Sequence, residues 1–195
     1  MFFEKLKNYN VLLASSSKRR HELLNQLGVE FKIINQEIEE SFSNELKCSE
    51  ITDYLAKKKS SLLIKSLKKN DLLITSDTIV WHKNRALGKP KNRDEAFEMI
   101  KSLENSSHEV ITSICISTIK SQVIVNEKTL VFFDKIDKND LLYYTKTSDV
   151  LDRAGSYGIQ DYIGHIGIKK IKGSYSNVLG FPTNLFVNTI NSMNL

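Results

Sequence analysis

The run Ala14-Ser15-Ser16-Ser17-Lys18-Arg19-Arg20 sets three hydroxyls directly before three cations. It lies between a short apolar stretch and the start of a helical rhythm. Ser17 reads as an N-cap, which places Lys18, Arg19 and Arg20 in the first helical turn. Cations are disfavoured there, because the free amides already carry partial positive charge. A bound polyphosphate would resolve the conflict, since amides and guanidinium groups converge on its oxygens. A helix that merely tolerates surface cations is the alternative. Local rules of this kind are broken most often at functional sites.

Three other groups of residues could carry chemistry. Ser76-Asp77-Thr78 follows the apolar run 72–75, at the end of what reads as a buried strand. Ligands of open α/β sheets gather outside such strand ends, where an Asp can hold magnesium or accept a proton from water. Taken alone, an Asp there also serves simply to make a turn. Lys89, in Gly88-Lys89-Pro90, sits in a stiffened loop from which an ammonium can reach a phosphate. Asp152-Arg153-Ala154-Gly155-Ser156-Tyr157-Gly158-Ile159-Gln160 lets backbone approach a ligand closely, and Gln160 offers both a donor and an acceptor to a base edge.

The elements that must position these groups alternate in type. Residues 11–15 read as a strand and 18–27 as a helix with Leu23, Leu24 and Leu27 on one face, stopped by Gly28. A strand at 31–34 and a helix at 51–67 follow, then the strand at 72–75. Asn92 opens the next helix with Glu95 three residues on, the spacing of a capping box, and that helix should bury Ala96, Ile100 and Leu103. Residues 110–119 and 122–133 are rich in Ile, Val, Thr and Phe and read as neighbouring strands. A short helix is expected at 140–145. Residues 149–180 hold six of the eight glycines and should be loop-rich, with one strand near 166–171. A helix at 184–190 closes the chain. This is an α/β protein around a mixed twisted sheet flanked by helices, without internal repeat or linker, read as a single domain over 1–195.

Composition narrows the partners. A chain of 195 residues buries a core without staples. Cys48 and Cys115 are far apart and form no metal-ligand spacing, so they read as lone buried thiols in a reducing compartment. The N-terminal residues lack the apolar run of a signal peptide, and no stretch approaches the ~20 apolar residues of a membrane span. A cytoplasmic protein without membrane attachment is expected. The net charge of +5 permits anionic partners. Lys57, Lys58 and Lys59, the densest basic run, read as a solvated helix face without the aromatic interleaving of a nucleic-acid groove. Nucleic acid is therefore not the expected partner, and a homodimer is compatible with the chain. His108 reads as a packing or capping residue with no chemistry.

Together these motifs resemble the Maf family, whose members are also called septum-formation inhibitors. The family's opening Leu-Ala-Ser-x-Ser-Pro-Arg-Arg is similar to Leu13 to Arg20, with Lys18 in place of proline. Its Asp-Glu pair falls on Glu39 and Glu40, with Glu39 a departure, and its Lys-Ala on Lys59 and Ser60. Its Asp-Thr, Lys-Pro and His-x-Val-x-Thr elements are Asp77-Thr78, Lys89-Pro90 and His108 to Thr112. The final Asp-Lys-Ala-Gly-x-Tyr-Gly-Ile-Gln-Gly pattern is present with Arg153 for lysine and Asp161 for glycine. The resemblance implies an elongated, two-lobed fold like that of inosine triphosphate pyrophosphatases, with a central cleft. It implies water attack on the α-phosphorus of a nucleoside triphosphate, with pyrophosphate leaving. Asp77 would be the general base, and Glu40 with Asp77 would bind magnesium or manganese. Arg20, Lys59 and Lys89 would hold phosphates, with Ser15 lining the site.

The resemblance also separates two branches. Arg19, Thr78 and Gln160 match the one acting on dTTP and UTP; the branch acting on 7-methyl-GTP has an aromatic, Gln and a nearby Glu instead. A neutral amide suits the imide edge of uracil or thymine. The expected activity is dTTP and UTP pyrophosphatase, extending to modified pyrimidine nucleotides. The alternatives are the 7-methyl-GTP branch and a nucleotide-binding regulator of cell division without turnover.

Overall fold

The computed structural model describes residues 1–35 and 38–195. Its elements are α1 (Phe2–Leu6), β1 (Asn10–Leu13), α2 (Lys18–Gln26), β2 (Lys32–Ile33), α3 (Ser49–Leu63), β3 (Asp71–His82), β4 (Arg85–Leu87), α4 (Arg93–Leu103), β5 (Ser107–Ser117), β6 (Gln122–Phe133), α5 (Lys138–Thr147), α6 (Tyr162–Gly167), β7 (Ile168–Lys172), α7 (Tyr175–Val178) and α8 (Thr183–Ser192). Among the described residues the strands form one seven-stranded sheet in the order β2-β1-β3-β5-β6-β7, with β4 paired to β3. The sheet is mixed: β1 is parallel to both β2 and β3, whereas β3–β4 and β6–β7 are antiparallel. Among these residues no helix is long and apolar enough to cross a membrane.

Contacts divide the chain into two compact units. The first comprises Met1–Asp77, Thr112–Glu127 and Gly180–Leu195; the second comprises Thr78–Ile111 and Lys128–Leu179.

In the first unit β1 lies along β3 with Val11 opposite Leu72 and Leu13 opposite Ile74. Helix α2 ends as Gly28 predicts: that residue has φ 70°, its amide bonds Asn25 O, and the amide of Val29 bonds Leu24 O. Those two bonds satisfy carbonyls that the helix end would otherwise orphan. Helix α1 has no counterpart in the sequence reading, because five residues are too few for a periodic pattern. It packs on α8, with Phe2 edge-on to Phe186.

In the second unit Asn92 caps α4 by accepting from the Glu95 amide at 2.8 Å, while the Glu95 carboxylate reaches back to the Lys91 amide at 2.7 Å. Ala96, Ile100 and Leu103 are all fully buried, as the periodicity requires. Burial of Ile100 and Leu103 contributes roughly 3–6 kcal/mol on the scale of a buried aliphatic side chain. Strand β7 bears Lys169, Lys170 and Lys172 at the sheet edge, where charge discourages pairing with another chain.

Two expectations need correction. Strand β3 does not stop at Thr75; it continues through Asp77 to His82, because Thr78, Ile79, Val80 and Trp81 prolong a β-favouring run. Asp77 is therefore a mid-strand residue and makes no turn. The strand then doubles back into β4 through Lys83 and Asn84, both in the left-handed region. That two-residue hairpin carries no glycine, so its usual signal is missing.

Candidate active site

Asp77 owes its position to the two-residue period of β3. Thr75 and Asp77 point to the same side of the sheet, and α3 covers that side. Thr75 donates to Ala56 O at 2.7 Å, and one helical step on, Lys59 Nζ meets Asp77 Oδ1 at 2.6 Å. A strand spacing of two thus matches a helix spacing of three. Ser60 anchors the same turn of α3: its hydroxyl lies 2.7 Å from that of Ser117, and both accept from Gln122 Nε2. This accounts for a hydroxyl at a fully buried position where the family pattern has alanine.

Lys59 also meets Glu40 Oε1 at 2.8 Å, so one ammonium joins two carboxylates. The side chains of Lys59 and Asp77 are 12% and 8% exposed, that of Glu40 46%. Burial pushes the Asp77 carboxyl above the ordinary aspartate range; the Lys59 ion pair and, less strongly, Arg20 pull it back, while Glu40 pushes it up. The Glu40 segment is pinned by the neighbouring Lys58, whose Nζ donates to Glu39 O at 2.8 Å and to Ser41 O at 3.2 Å. The triple-lysine run is therefore not simply a solvated face. Lys57 is exposed, but Lys58 bonds the backbone beside Glu40 and Lys59 joins two carboxylates.

Parallel strand β1 ends at Leu13, and the amide of Ala14 still bonds Ile74 O at 2.9 Å. The loop beyond it is where the ends of parallel strands leave room for a ligand. There Ser15 Oγ accepts from the Ser17 amide at 3.2 Å and from Arg20 Nη1 at 3.3 Å, and His21 Nε2 donates to Ser15 O at 2.7 Å. Arg20 further donates to Ser76 O at 3.0 Å and Gly180 O at 2.9 Å. His21 went unmarked in the sequence, because a bond to a backbone carbonyl leaves no residue-type signature. Ser17 occupies the N-cap with extended φ and ψ, but its side chain makes no capping bond.

Arg20 is thus not a frustrated cation. Its charge is met by carbonyls outside its own helix. Arg20→Gln should consequently lower the thermal midpoint, not raise it. Leaving two such acceptors short of a donor costs about 1–3 kcal/mol, or roughly 2–8 °C in a chain of this size. Thermal unfolding of the nucleotide-free variant checks this; an unchanged or higher midpoint would restore the helix-end repulsion argument.

Thr78, Lys89 and Gln160 belong to the second unit. Lys89 Nζ pairs with Asp152 Oδ1 at 2.7 Å, both half exposed, and the amide of Gly155 bonds Gly88 O at 3.1 Å. Gln160 Oε1 is buried with no hydrogen-bond partner. Tyr157, in the same motif, is structural: its hydroxyl lies 2.6 Å from His108 Nε2 and its ring packs edge-on against Phe133. Burial, with a smaller contribution from His82, holds His108 down to about 3, so it stays neutral. Cys115 is a buried free thiol whose burial raises it above its ordinary range, whereas Cys48 is only half-buried.

Among the described residues, Asp77 and Glu40 are the two carboxylates that Lys59 brings together. The described residues hold no group of three or more His, Cys, Asp or Glu able to bind a metal. Two carboxylates suit magnesium, which is commonly held by one or two such groups together with substrate phosphates and water.

The family described as Maf-like protein matches residues 10–193. A dTTP/UTP pyrophosphatase of Flavobacterium johnsoniae is 46% identical over 183 residues, which are 94% of each chain. A dTTP/UTP pyrophosphatase of Christiangramia forsetii is 45% identical over 193 residues, covering 99% of this chain and 98% of its own. The structure of the Staphylococcus aureus Ham1 protein matches with a TM-score of 0.53 at 13% identity, over 93% of this chain and 98% of that one, a likeness of fold alone.

Proposed function

The chain belongs to the Maf family, and from that premise we propose that it hydrolyses dTTP and UTP to the nucleoside monophosphate and pyrophosphate. The observation that carries the proposal is the buried Asp77 carboxylate sharing the Lys59 ammonium with Glu40. A carboxylate held above its ordinary range by burial is a better proton acceptor for an attacking water than an exposed one.

In this reading Asp77 takes the proton of the water that attacks the α-phosphorus. Lys59 keeps Asp77 ionised and directs it, while its charge also opposes that of the phosphates. Glu40 and Asp77 would hold magnesium or manganese, which when bound neutralises phosphate charge and polarises the phosphorus centre. Arg19 and Arg20 at the mouth of α2 and Lys89 are assigned to the phosphates, with Ser15 lining their path. Asp152 must release Lys89 for that role; an exposed pair of this kind is worth only about 0–1 kcal/mol, so the exchange is easy. Thr78 and Gln160 are assigned to the base. The unpartnered Gln160 Oε1 is an acceptor for the imide N–H of uracil or thymine. The names of the relatives support the pyrimidine branch over the 7-methyl-GTP branch. A free nucleotide in the cytoplasm is the proposed substrate.

A panel of nucleoside triphosphates assayed with magnesium tests the proposal. UTP and dTTP should be cut fastest, with release of pyrophosphate and the monophosphate. Faster turnover of 7-methyl-GTP than of both would reject the base assignment. Release of inorganic phosphate in place of pyrophosphate would reject the reaction.

A further inference from the structure

We propose that Arg153, Asp161 and Tyr144 form a latch that positions the Gln160 loop and thereby sets the preference for the pyrimidine base. The inference rests on the assignment of Gln160 to the base made above. Asp161 is the N-cap residue of α6, with φ −93° and ψ 173°. An Asp in that place ordinarily accepts from the amides of its own helix. This one makes no capping bond. Its carboxylate instead pairs with the Arg153 guanidinium and accepts from the Tyr144 hydroxyl at 2.7 Å. The Tyr144 oxygen in turn accepts from the Gly158 amide at 3.2 Å and lies 3.5 Å from Arg153 Nη1.

Two side chains of the quoted motif and one from α5 therefore close around Gly158, two residues before Gln160. The amide of Asp161 bonds Gly158 O at 3.1 Å, closing the turn that contains Gln160. The latch closes tightly over its start: a Cβ on Gly158 would run into the Arg153 guanidinium and the Asp161 carboxylate and push the pair aside. Arg153 and Asp161 are only 13% and 17% exposed, and Tyr144 is fully buried. Charges held this far from water are costly unless paired, so the ion pair and the Tyr144 bond favour the closed geometry, even though Arg153 Nε is buried without a hydrogen-bond partner. The segment bearing Arg153 also carries Asp152, which pairs with Lys89, and Gly155, which bonds Gly88. The latch thus ties the Lys89 loop to the Gln160 loop. Both departures of this chain from the quoted motif, Arg153 and Asp161, fall on the two members of one ion pair.

The test measures kcat and KM for UTP and CTP, with thermal midpoints, on the full chain. Asp161→Asn is nearly isosteric and removes the charge, so it reports even if Asp161→Gly fails to fold. It should lower the preference for UTP over CTP by about tenfold, through KM and not kcat. Asp161→Gly should lose at least as much, because it strands the Arg153 charge. Arg153→Lys with Asp161→Gly should regain part of the preference, since a lysine stem can turn its ammonium toward water. Gln160→Ala serves as the reference and should lower the same preference about tenfold or more. If Gln160→Ala alters the preference and the Asp161 variants do not, the latch merely supports the fold and the inference fails, whatever the midpoints do. If Gln160→Ala leaves the preference intact, the assignment of Gln160 to the base fails and the latch loses its consequence with it.

Discussion

Asp77→Asn should give a folded protein whose turnover of UTP is lower by about two orders of magnitude or more. That is the scale of a missing acid–base group, and Asn is close to Asp in shape while unable to take the proton of water at neutral pH. The fold should tolerate the change. Asp77 lies on a strand whose neighbours are buried on both faces, and Lys59 keeps Glu40 as a partner. The dependence of stability on pH provides an independent reading. Burial holds the Asp77 carboxyl above its ordinary 3.8, so the folded chain binds that proton more tightly than the unfolded one. The group's contribution to folding is then fully present below 3.8 and is lost as pH rises from there through the raised folded value. Asparagine does not titrate. Relative to wild type, the variant should gain in thermal midpoint across that window and keep the gain up to neutral pH. A variant that instead loses ground as pH rises would mean that Lys59 outweighs burial. Near-wild-type turnover in a folded variant would remove Asp77 from the mechanism.

Particular residues show what the sequence disclosed and what it hid. Strand β6 runs over Gln122–Phe133 as read, since Val123, Ile124 and Val125 on one side of Asn126-Glu127-Lys128 and Thr129 to Phe133 on the other all favour a strand. The cap at Asn92 was legible because capping is a contact between residues three apart. Asp77 was legible as a chemical group, but its place in mid-strand was not. Ser and Asp look like strand enders, whereas here the β-favouring residues 78–81 carry the strand on and α3 covers Asp77 on one side. Glu40 could be singled out only by family resemblance. Its partner Lys59 is nineteen residues away, and no local rule links a loop carboxylate to a helix lysine across that gap. Arg20 illustrates a different limit. The macrodipole rule correctly finds it out of place, yet the resolution lies in the carbonyls of Ser76 and Gly180, the second of them 160 residues away. Residue type signals a charge well; which buried group answers it is decided by tertiary packing.

Those answering groups explain why one ammonium matters so much in the first unit. Asp77 is desolvated by the sheet and by α3, and the ion pair with Lys59 is the largest influence opposing that cost. Arg20 contributes less, and Glu40 acts in the opposite sense. Lys59 is therefore the main counterweight to burial at Asp77, through a contact of 2.6 Å, and the same lysine holds Glu40 at 2.8 Å.

Lys59→Met should accordingly do more than remove a phosphate contact. Turnover of UTP at neutral pH should fall by roughly 10²–10³-fold, the range seen when a preorganised charge-stabilising group is deleted. Its pH dependence should also change. With the largest lowering influence gone, the Asp77 carboxyl rises further, and the acid limb of kcat/KM moves to higher pH. Part of the lost activity should then return as pH is raised, because more of the base is ionised. The stability loss should stay below the 3–5 kcal/mol typical of a severed buried pair, since Asp77 can protonate and Glu40 is half exposed to water. Lys59→Arg keeps the charge but changes its geometry, and should leave the acid limb nearer its original position. Profiles of kcat/KM against pH for wild type and both variants decide the matter. A uniform fall at every pH, with the limb unmoved, would make Lys59 a phosphate ligand without influence on Asp77. No fall at all would take Lys59 out of the site, leaving the Asp77–Lys59 pair as a device of the fold.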